Sequence, residues 1–532
     1  MNSRLVRFAA LLVLIFVAKN TLAAGGSCGS IAVPSGVTNC FFISKSIGND
    51  GNTGTSEQSP WAHLPGMLSC TGTCAASTPV PGAGYILRGG DTWTSSDLGV
   101  YWQWSGTATA PIYIGVDPNW YAGKSWSRPV WNCGQVSCGN YSKDHTTYYF
   151  EIFPPNRYVT IDNIEMAGIY NANGSGGFFT VYNDHVEVKN SYFHGWAHGT
   201  NISNNFDVYS CSTNNGGSCA GSLFHDNIID GSDTSKDSMY GTYGGDTEQI
   251  YNNYYRYLVG ALVGSSNFVH DNTVEYPVYS FAGDHANGIF NFSPASGTYT
   301  LMYNNVVRHT TACSGCVNLW INGLGTVGNG NLVSYFFNNV EYDLNASNVL
   351  NMADHPNGYY GTYYIFNNTI ECGNDSSYGA CQGTLTGPYI TGYFTNNYWI
   401  SPGEYTCTTN STCTFTTELP QTISQAKAAG YTSSQNYVFS PTASNSPTVG
   451  KGTNIQSYCI AIASISNAAG IACQYDATFG VGYDTINHKV VSPNRAPLAR
   501  PQSGPWDIGA YQFSSAQAQI PQAPTSLQAV VQ

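Results

Sequence analysis

A short repeated unit constrains the fold of this chain more than any other feature of its sequence. Each copy is an alternating apolar segment that ends in Asn or Asp-Asn and continues at once into a second apolar segment, as in VTIDNIEM from Val159 and LFHDNIID from Leu223. Successive copies lie 19 to 37 residues apart, a spacing typical of solenoids, whose units bury their apolar faces against one another. The marker asparagines are Asn163, Asn190, Asn227, Asn253, Asn272, Asn305, Asn339, Asn368 and Asn397.

The irregular spacing selects among the repeat architectures. Hexapeptide left-handed helices are strictly periodic, and a β-propeller needs four strands in each blade of about 40–45 residues. A parallel β-helix tolerates connections of different length between short strands, so the sequence predicts an all-β, right-handed parallel β-helix. The marker Asn fits two roles in such a coil: it tolerates the left-handed backbone of a sharp bend, and its amide stacks from coil to coil.

Composition supports this fold and excludes other classes. Only 9% of the 532 residues are charged, whereas 42% are hydrophobic and 14% are aromatic. Long helical arrays need more charged residues, and charge-driven disorder needs fewer apolar ones. The 18 basic and 31 acidic residues give a net charge of −13, which repels the phosphates of nucleic acid.

The N-terminus and the cysteines predict a secreted protein. Arg4 and Arg7 precede an apolar run that ends at Val17, and the small residues Ala23 and Ala24 follow, as in a signal peptide. No second apolar run has the length of a membrane span. The sixteen cysteines form neighbouring pairs, expected to close short disulfide loops. These pairs are 28/40, 70/74, 133/138, 211/219, 313/316, 372/381, 407/413 and 459/473.

The predicted organisation is one elongated domain after the leader. Coils of the β-helix are expected at 83–400, and strand-like segments at 437–513 are expected to close it. The remaining predicted segments are a signal peptide (1–24), an N-terminal cap with the first strands (25–82), an insertion with a short helix (401–436) and a linker tail (514–532).

Both ends of the mature chain resemble a known class. The stretch FFISKSIGNDGNTGTSEQSPWAHL followed by YILRGGDTW, and the later SPTVGKGT and WDIGAYQF, are similar to segments of bacterial secreted right-handed parallel β-helix repeat proteins of the pectate-lyase-like superfamily, with a choice-of-anchor-like C-terminal region. The resemblance implies that a long polymer binds in a groove along one sheet. It leaves the activity open among lyases, hydrolases, epimerases and adhesins.

Two Asp-His-x-Asn segments are the first candidate site. Asp284 and His285 precede one predicted strand, and Asp354 and His355 follow another. A His beside a carboxylate is a candidate general acid or base, and in a hydrolase the two Asp residues are the expected acid and base. The alternative is that both segments are turns, in which Asp and Asn bond to their own backbone.

A charged column three residues after the marker Asn is the second candidate. It comprises Asp230, Arg256, Glu275, Arg308, Tyr342 and Glu371. The alternating signs are consistent with a purely structural ladder. In lyases of the fold that the chain resembles, a cation neutralises the uronate and a basic side chain removes a proton, which suggests Arg308 and His309. Recruitment of calcium by carboxylates is the alternative.

The third candidate is a polar and aromatic face for binding sugar, formed by Asn291, Trp320, Asn322 and Asn351; exposed aromatic ladders are the structural alternative. The paired Asp and Gly-His-Gly pattern of galacturonan hydrolases is absent, and the nearest segment begins at His194.

These observations predict a secreted carbohydrate-active enzyme, either a lyase or a glycoside hydrolase, that acts on an extracellular polysaccharide. The alternative is a non-catalytic β-helix protein that binds glycans or mediates adhesion at the cell surface. No cofactor is predicted apart from the calcium alternative.

Overall fold

A computed structural model of the chain describes most of its residues. The described ranges are 27–29, 31–136, 147–152, 155–171, 176–198, 206–211, 218–233, 240–277, 287–292, 299–309, 313–322, 332–344, 346–353, 361–372, 382–386, 390–400, 405–407, 411–493 and 495–515.

The described strands stack into three parallel ladders, which confirms the predicted right-handed parallel β-helix. Each coil contributes a strand to sheet A, then to sheet B, then to sheet C. Sheet A contains Asn39–Ile43, Ala83–Gly89, Ile112–Tyr121, Val159–Asp162, Val186–Lys189, Leu223–His225, the C-terminal parts of Tyr240–Tyr251 and Gly260–His270, Tyr299–Tyr303, Leu332–Phe337, Gly361–Phe366, Ile390–Thr395 and Thr412–Thr416.

Sheet B follows sheet A after a tight bend, and sheet C follows sheet B after connections of variable length. Sheet B contains Thr92–Trp93, Val130–Val136, Glu165–Asn171, Tyr192–His194, Ala197–His198, Ile228–Asp230, Tyr254–Arg256, Thr273–Glu275, Val306–Arg308, Val340–Leu344, Thr369–Cys372, Tyr398–Ile400 and Leu419–Gln421. Sheet C contains Val100–Trp102, Thr147–Ile152, Gly176–Val181, Phe206–Cys211, the N-terminal parts of Tyr240–Tyr251 and Gly260–His270, Asn287–Phe292, Cys313–Asn322, Ala346–Ala353, Gln382–Thr386 and Tyr405–Cys407.

Alternation along each strand fills the interior of the solenoid. In Val186–Lys189 the two valines are buried while Glu187 and Lys189 are partly exposed, as expected for a strand with one face on the core. Stacked aromatic rings continue the core from coil to coil: the Phe150 and Phe179 rings lie 4.9 Å apart. The apolar repeat therefore positions the outward residues of successive coils side by side.

The two roles expected of the marker Asn belong to two different residues. From Asn227 to Asn397 each marker side chain is hydrogen-bonded to the next, with Nδ2–Oδ1 distances of 2.8–3.1 Å. The left-handed backbone belongs to the preceding residue, for example Asp226 with φ of 56°. Asn163 and Asn190 are themselves left-handed, and in their coils the ladder position passes to the next residue; Ser191 accepts the N–H of Ile164 there. The expectation that one Asn does both was wrong, because the bend needs two residues.

The C-terminal part differs from the expected closing coils. The solenoid continues beyond residue 400 with Tyr405–Cys407, Thr412–Thr416 and Leu419–Gln421. The expected short helix follows at Ile423–Ala428, and a capping box between Thr422 and Gln425 begins it. Instead of further coils, the described residues of 437–513 form the helices Gln456–Ile465 and Asn467–Cys473 and an antiparallel hairpin of Gly482–Asp484 with Lys489–Val491.

The N-terminal end of the solenoid carries small elements of its own. Ser27–Cys28 pairs antiparallel with Ile31–Ala32, and a single short helix spans Gly72–Ala76. No helix among the described residues is long and apolar enough to cross a membrane.

Five of the expected disulfides join described residues and are confirmed. They are Cys28–Cys40, Cys70–Cys74, Cys211–Cys219, Cys407–Cys413 and Cys459–Cys473. Cys133 and Cys372 are also disulfide-bonded. This cysteine usage is compatible with an oxidising, extracellular environment.

Candidate functional site on the outer face of sheet C

The C-terminal region packs on the outer faces of sheets A and B. On sheet A, the helices around Cys459 and Cys473 cover an aromatic surface that includes Tyr335 and Phe337. On sheet B, Phe439 and Tyr511 belong to the cluster that buries Tyr342, and Val481 packs with Tyr254. Apart from those of the C-terminal hairpin, the described strand residues in these three clusters come from sheets A and B. No described residue of sheet C belongs to these clusters, so the outer face of sheet C is the candidate ligand surface. Its described outward residues Glu151, Thr180 and Ser210 are buried.

One unbroken register column follows sheet C along the solenoid. It contains, in order, Tyr101, Glu151, Thr180, Ser210, Tyr243, Val263, Phe290, Trp320, Asn351, Thr384 and Thr406. We call it the Glu151 column. Parallel strands lie about 4.8 Å apart, so the column is about 48 Å long. Hydroxyl, aromatic and amide residues dominate it.

Glu151 is the carboxylic acid of this column. Its neighbours Phe150 and Ile152 are in the interior core, so alternation directs Glu151 outward. The carboxyl is nevertheless only 4% exposed, and its Oε1 has no hydrogen-bond partner among the described residues. Burial raises the pKa of Glu151 to about 7. A carboxyl in this state is a proton donor near neutral pH.

Sequence reasoning missed Glu151. The available signal was a single Glu between apolar residues in the strand TYYFEI from Thr147. The pattern predicts an outward carboxyl, but it does not predict that this carboxyl is buried.

Two predicted sugar-binding residues, Trp320 and Asn351, are paired directly in the Glu151 column. Asn322 pairs instead with Phe292, and Asn291 pairs with Ile321, so the four residues do not share one column. The predicted catalytic residues Asp284, His285, Asp354 and His355 lie outside the described residues. The first pair precedes the sheet C strand Asn287–Phe292, and the second follows the sheet C strand Ala346–Ala353. Their convergence stays a prediction.

The charged column on sheet B forms as expected. Asp230, Arg256, Glu275, Arg308 and Tyr342 pair in consecutive coils. The expected last member, Glu371, falls beyond a register shift, and its Oε2 accepts the N–H of Asp343.

Arg308 is held by several partners within that column. Its guanidinium is 2.8 Å from Glu275 Oε2 and donates to the hydroxyls of Tyr342 and Tyr254 at 3.1 and 3.2 Å. Burial lowers the pKa of Arg308, but these neighbours outweigh it and raise the pKa above its ordinary value. The adjacent His309 lies 2.6 Å from Asp343 through Nδ1. Arg308 ends a strand of sheet B, and His309 follows it. Neither residue can act on a substrate bound to sheet C unless that substrate also extends over sheet B.

A carboxylate pair flanks His194, which sequence reasoning passed over because no Asp pair lies near it in the chain. His194 Nδ1 is 2.7 Å from Asp233, and its Nε2 is 3.0 Å from Glu165. Burial disfavours the imidazolium, but the two carboxylates outweigh it and raise the pKa of His194 to about 9. The cation therefore links two sheet B coils with the connection that carries Asp233, and it is a poor base at neutral pH.

A further ionic group lies on sheet A. Glu187 accepts hydrogen bonds from Lys189, His225 and Thr160 at 2.9–3.0 Å. Burial opposes ionisation, but His225 and Lys189 lower the pKa of Glu187 to about 2. This carboxylate is ionised at neutral pH and accepts hydrogen bonds from all three partners, so it is not a proton donor. Over the part of the chain that the structure describes, no three metal-ligating side chains converge, so the calcium alternative stays a prediction.

No family model matches this sequence, and no curated protein matches it. Among solved structures, it is similar to a GH136 lacto-N-biosidase from Eubacterium ramulus (14% identity, 71% of this chain and 68% of that one, TM-score 0.39). It is also similar to a rhamnogalacturonan lyase (12%, 72% and 87%, 0.40) and to a PL6 family polysaccharide lyase from Pseudopedobacter saltans (9%, 65% and 90%, 0.36).

Proposed function

We propose that this chain is a secreted enzyme that cleaves an extracellular polysaccharide bound along the outer face of sheet C, and that it does so by hydrolysis. The observation that carries the proposal is the shielded carboxyl of Glu151 in the outward column of this sheet. The length of the column suits a polymer rather than a small molecule.

Glu151 has the properties of the acid in glycoside hydrolysis. With a pKa of about 7, its carboxyl keeps a proton that it can give to the oxygen of the leaving sugar. The reaction also needs a second carboxylate, as a nucleophile about 5 Å away or as a base about 6.5–9.5 Å away. The sheet C strands that Asp284 and Asp354 adjoin are five and seven strands away from that of Glu151, about 24 and 34 Å at about 4.8 Å a strand. We therefore keep Asp284 and Asp354 as candidates for a separate acid and base pair, not as the partner of Glu151.

The ion pairs disfavour elimination, the lyase chemistry. That reaction needs a cation that neutralises a uronate carboxylate while a base removes the neighbouring proton. From Asn163 to Asn397 the Lys and Arg residues are Lys189, Lys236, Arg256 and Arg308. Of these, the three described ones are each bound to a carboxylate on sheet A or sheet B.

The test is incubation of the mature protein with neutral and acidic polysaccharides, reading new reducing ends and the absorbance of unsaturated products together. New ends without absorbance establish hydrolysis, and absorbance establishes a lyase. We expect Glu151→Gln to lower kcat at least about 100-fold, the usual contribution of a general acid. The matched control, Glu187→Gln, alters a carboxylate on sheet A and should leave kcat within a few fold of the native value. Retention of a glycan without cleavage would contradict hydrolysis and favour the non-catalytic glycan-binding alternative.

A further inference from the structure

Sheet C lacks basic residues throughout its length. The sheet C segments of its eleven strands contain no Lys, Arg or His, and the one His in these strands, His270, lies at the sheet A end of Gly260–His270. Carboxylates do occur there: Glu151 and Asp207 both belong to sheet C strands. The strands of sheet C therefore supply only neutral or acidic residues to a bound polymer.

The imbalance extends over the C-terminal half of the solenoid. Residues 257–426 contain ten Asp and Glu residues and a single Lys or Arg, which is Arg308. That residue is bound by Glu275 and by two tyrosine hydroxyls on sheet B. An acidic polymer on these coils would find no unpaired Lys or Arg, and the connections between the strands supply none, because the sequence contains none there.

We propose that the polysaccharide bound by sheet C is uncharged, so that a polymer of neutral sugars rather than a polyuronate is the substrate. This inference rests on the proposed function. Hydroxyl, amide and aromatic residues of the Glu151 column suit such a ligand. Hydroxyls and amides exchange hydrogen bonds with sugar hydroxyls, and aromatic residues, of which the register places Trp320 and Tyr243 in this column, are the type that packs on sugar rings.

Electrostatic repulsion should make an acidic polymer bind more weakly than a neutral one. Each carboxylate of a polyuronate would approach a chain of net charge −13 without a counter-ion, which slows association and costs binding free energy at each sugar. A neutral chain avoids this cost, and its binding should therefore be nearly independent of ionic strength.

The experiment measures affinity of the full mature chain for soluble β-glucan, galactomannan and arabinan and for polygalacturonate and alginate, at low and high salt. We expect one or more neutral polymers to bind at least about tenfold more tightly than either acidic polymer, a difference of about 1.4 kcal/mol. Trp320→Ala should weaken binding, whereas Tyr257→Ala, which removes an aromatic residue next to sheet B, should not.

The outcomes separate the inference from its premise. Preferred binding of an acidic polymer that Trp320→Ala weakens would overturn the neutral substrate while leaving a sheet C glycan site intact. Binding that is equal in the native chain and in Trp320→Ala would overturn the site itself. Retention of no glycan would contradict the proposed function, and with it the inference.

Discussion

The side-chain amide of Asn397 donates a hydrogen bond of 3.0 Å to Glu418 Oε1, and this contact ends the Asn ladder of the solenoid. The same carboxyl accepts the backbone N–H of Asn397 and the indole N–H of Trp399. Each ladder Asn donates toward the C-terminus, so the last one needs an acceptor that is not another Asn. Glu418 supplies it.

This acceptor should make stability depend on pH. Burial raises the pKa of Glu418 to about 8, even though three N–H groups bind the carboxyl. In the unfolded chain the pKa of this carboxyl is about 4.3. The unfolded state is therefore stabilised relative to the native state as the pH rises from this value to about 8. Glu418→Gln has no carboxyl that ionises. Its free energy of unfolding, relative to that of the native chain, should therefore be higher at pH 8 than at pH 5. Urea unfolding at both pH values tests this, and an unchanged difference would refute it.

Adjacent residues at one bend should differ sharply in their contribution to stability. Asn253 Oδ1 accepts both the backbone and the side-chain N–H of Asn227, so Asn253→Ala leaves two buried donors unpaired. We expect a loss of about 2–5 kcal/mol in the free energy of unfolding. The neighbouring Asn252 has φ of 55°, which glycine adopts freely, so Asn252→Gly should cost about 1 kcal/mol or less. Similar losses in both variants would contradict the ladder.

His194 should titrate far above an ordinary histidine. Its pKa of about 9 exceeds the unfolded value of about 6.5, so its stabilising effect is complete below pH 6.5 and disappears as the pH rises through 9. An NMR titration of the imidazole should show a midpoint near 9 in the native chain and a lower one in Asp233→Asn. A midpoint near 6.5 in the native chain would show that the carboxylates do not hold the ring.

Arg308 and Glu275 should act as a structural pair. Removing one partner leaves a poorly solvated charge, so Arg308→Met should lower the free energy of unfolding by about 2–4 kcal/mol. The double variant Glu275→Leu/Arg308→Met should recover most of that loss. Unfolding experiments measure both values, and cleavage by the folded variants is compared in parallel. Full stability of Arg308→Met together with loss of cleavage would instead return Arg308 to the catalytic role suggested by its sequence.

The sequence predicts those features that depend on local periodicity. The alternation before each marker Asn predicts the strands and therefore the β-helix. The even number of cysteines at short spacings predicts pairing of neighbours, which the five described disulfides confirm. The sequence does not show that Asp226 adopts the left-handed backbone while Asn227 forms the ladder hydrogen bonds, because Asp and Asn both tolerate that backbone.

Features that join distant parts of the chain were harder to predict. Asp233 contacts His194 from 39 residues away, and the C-terminal helices cover Tyr335 and Phe337 of sheet A from more than a hundred residues away. Which faces of the solenoid the C-terminal region covers depends on such contacts. The alternating charges of the sheet B column, by contrast, were predictable from their fixed offset after each Asn.

The most direct test of the account is a crystal structure of the Glu151→Gln variant with a neutral oligosaccharide that the native chain cleaves. We predict that the sugar lies along the outer face of sheet C and follows the column that contains Trp320 and Asn351, with a glycosidic oxygen within hydrogen-bond distance of residue 151. A sugar bound on sheet A or sheet B, or on sheet C with its glycosidic oxygens far from residue 151, would contradict the account.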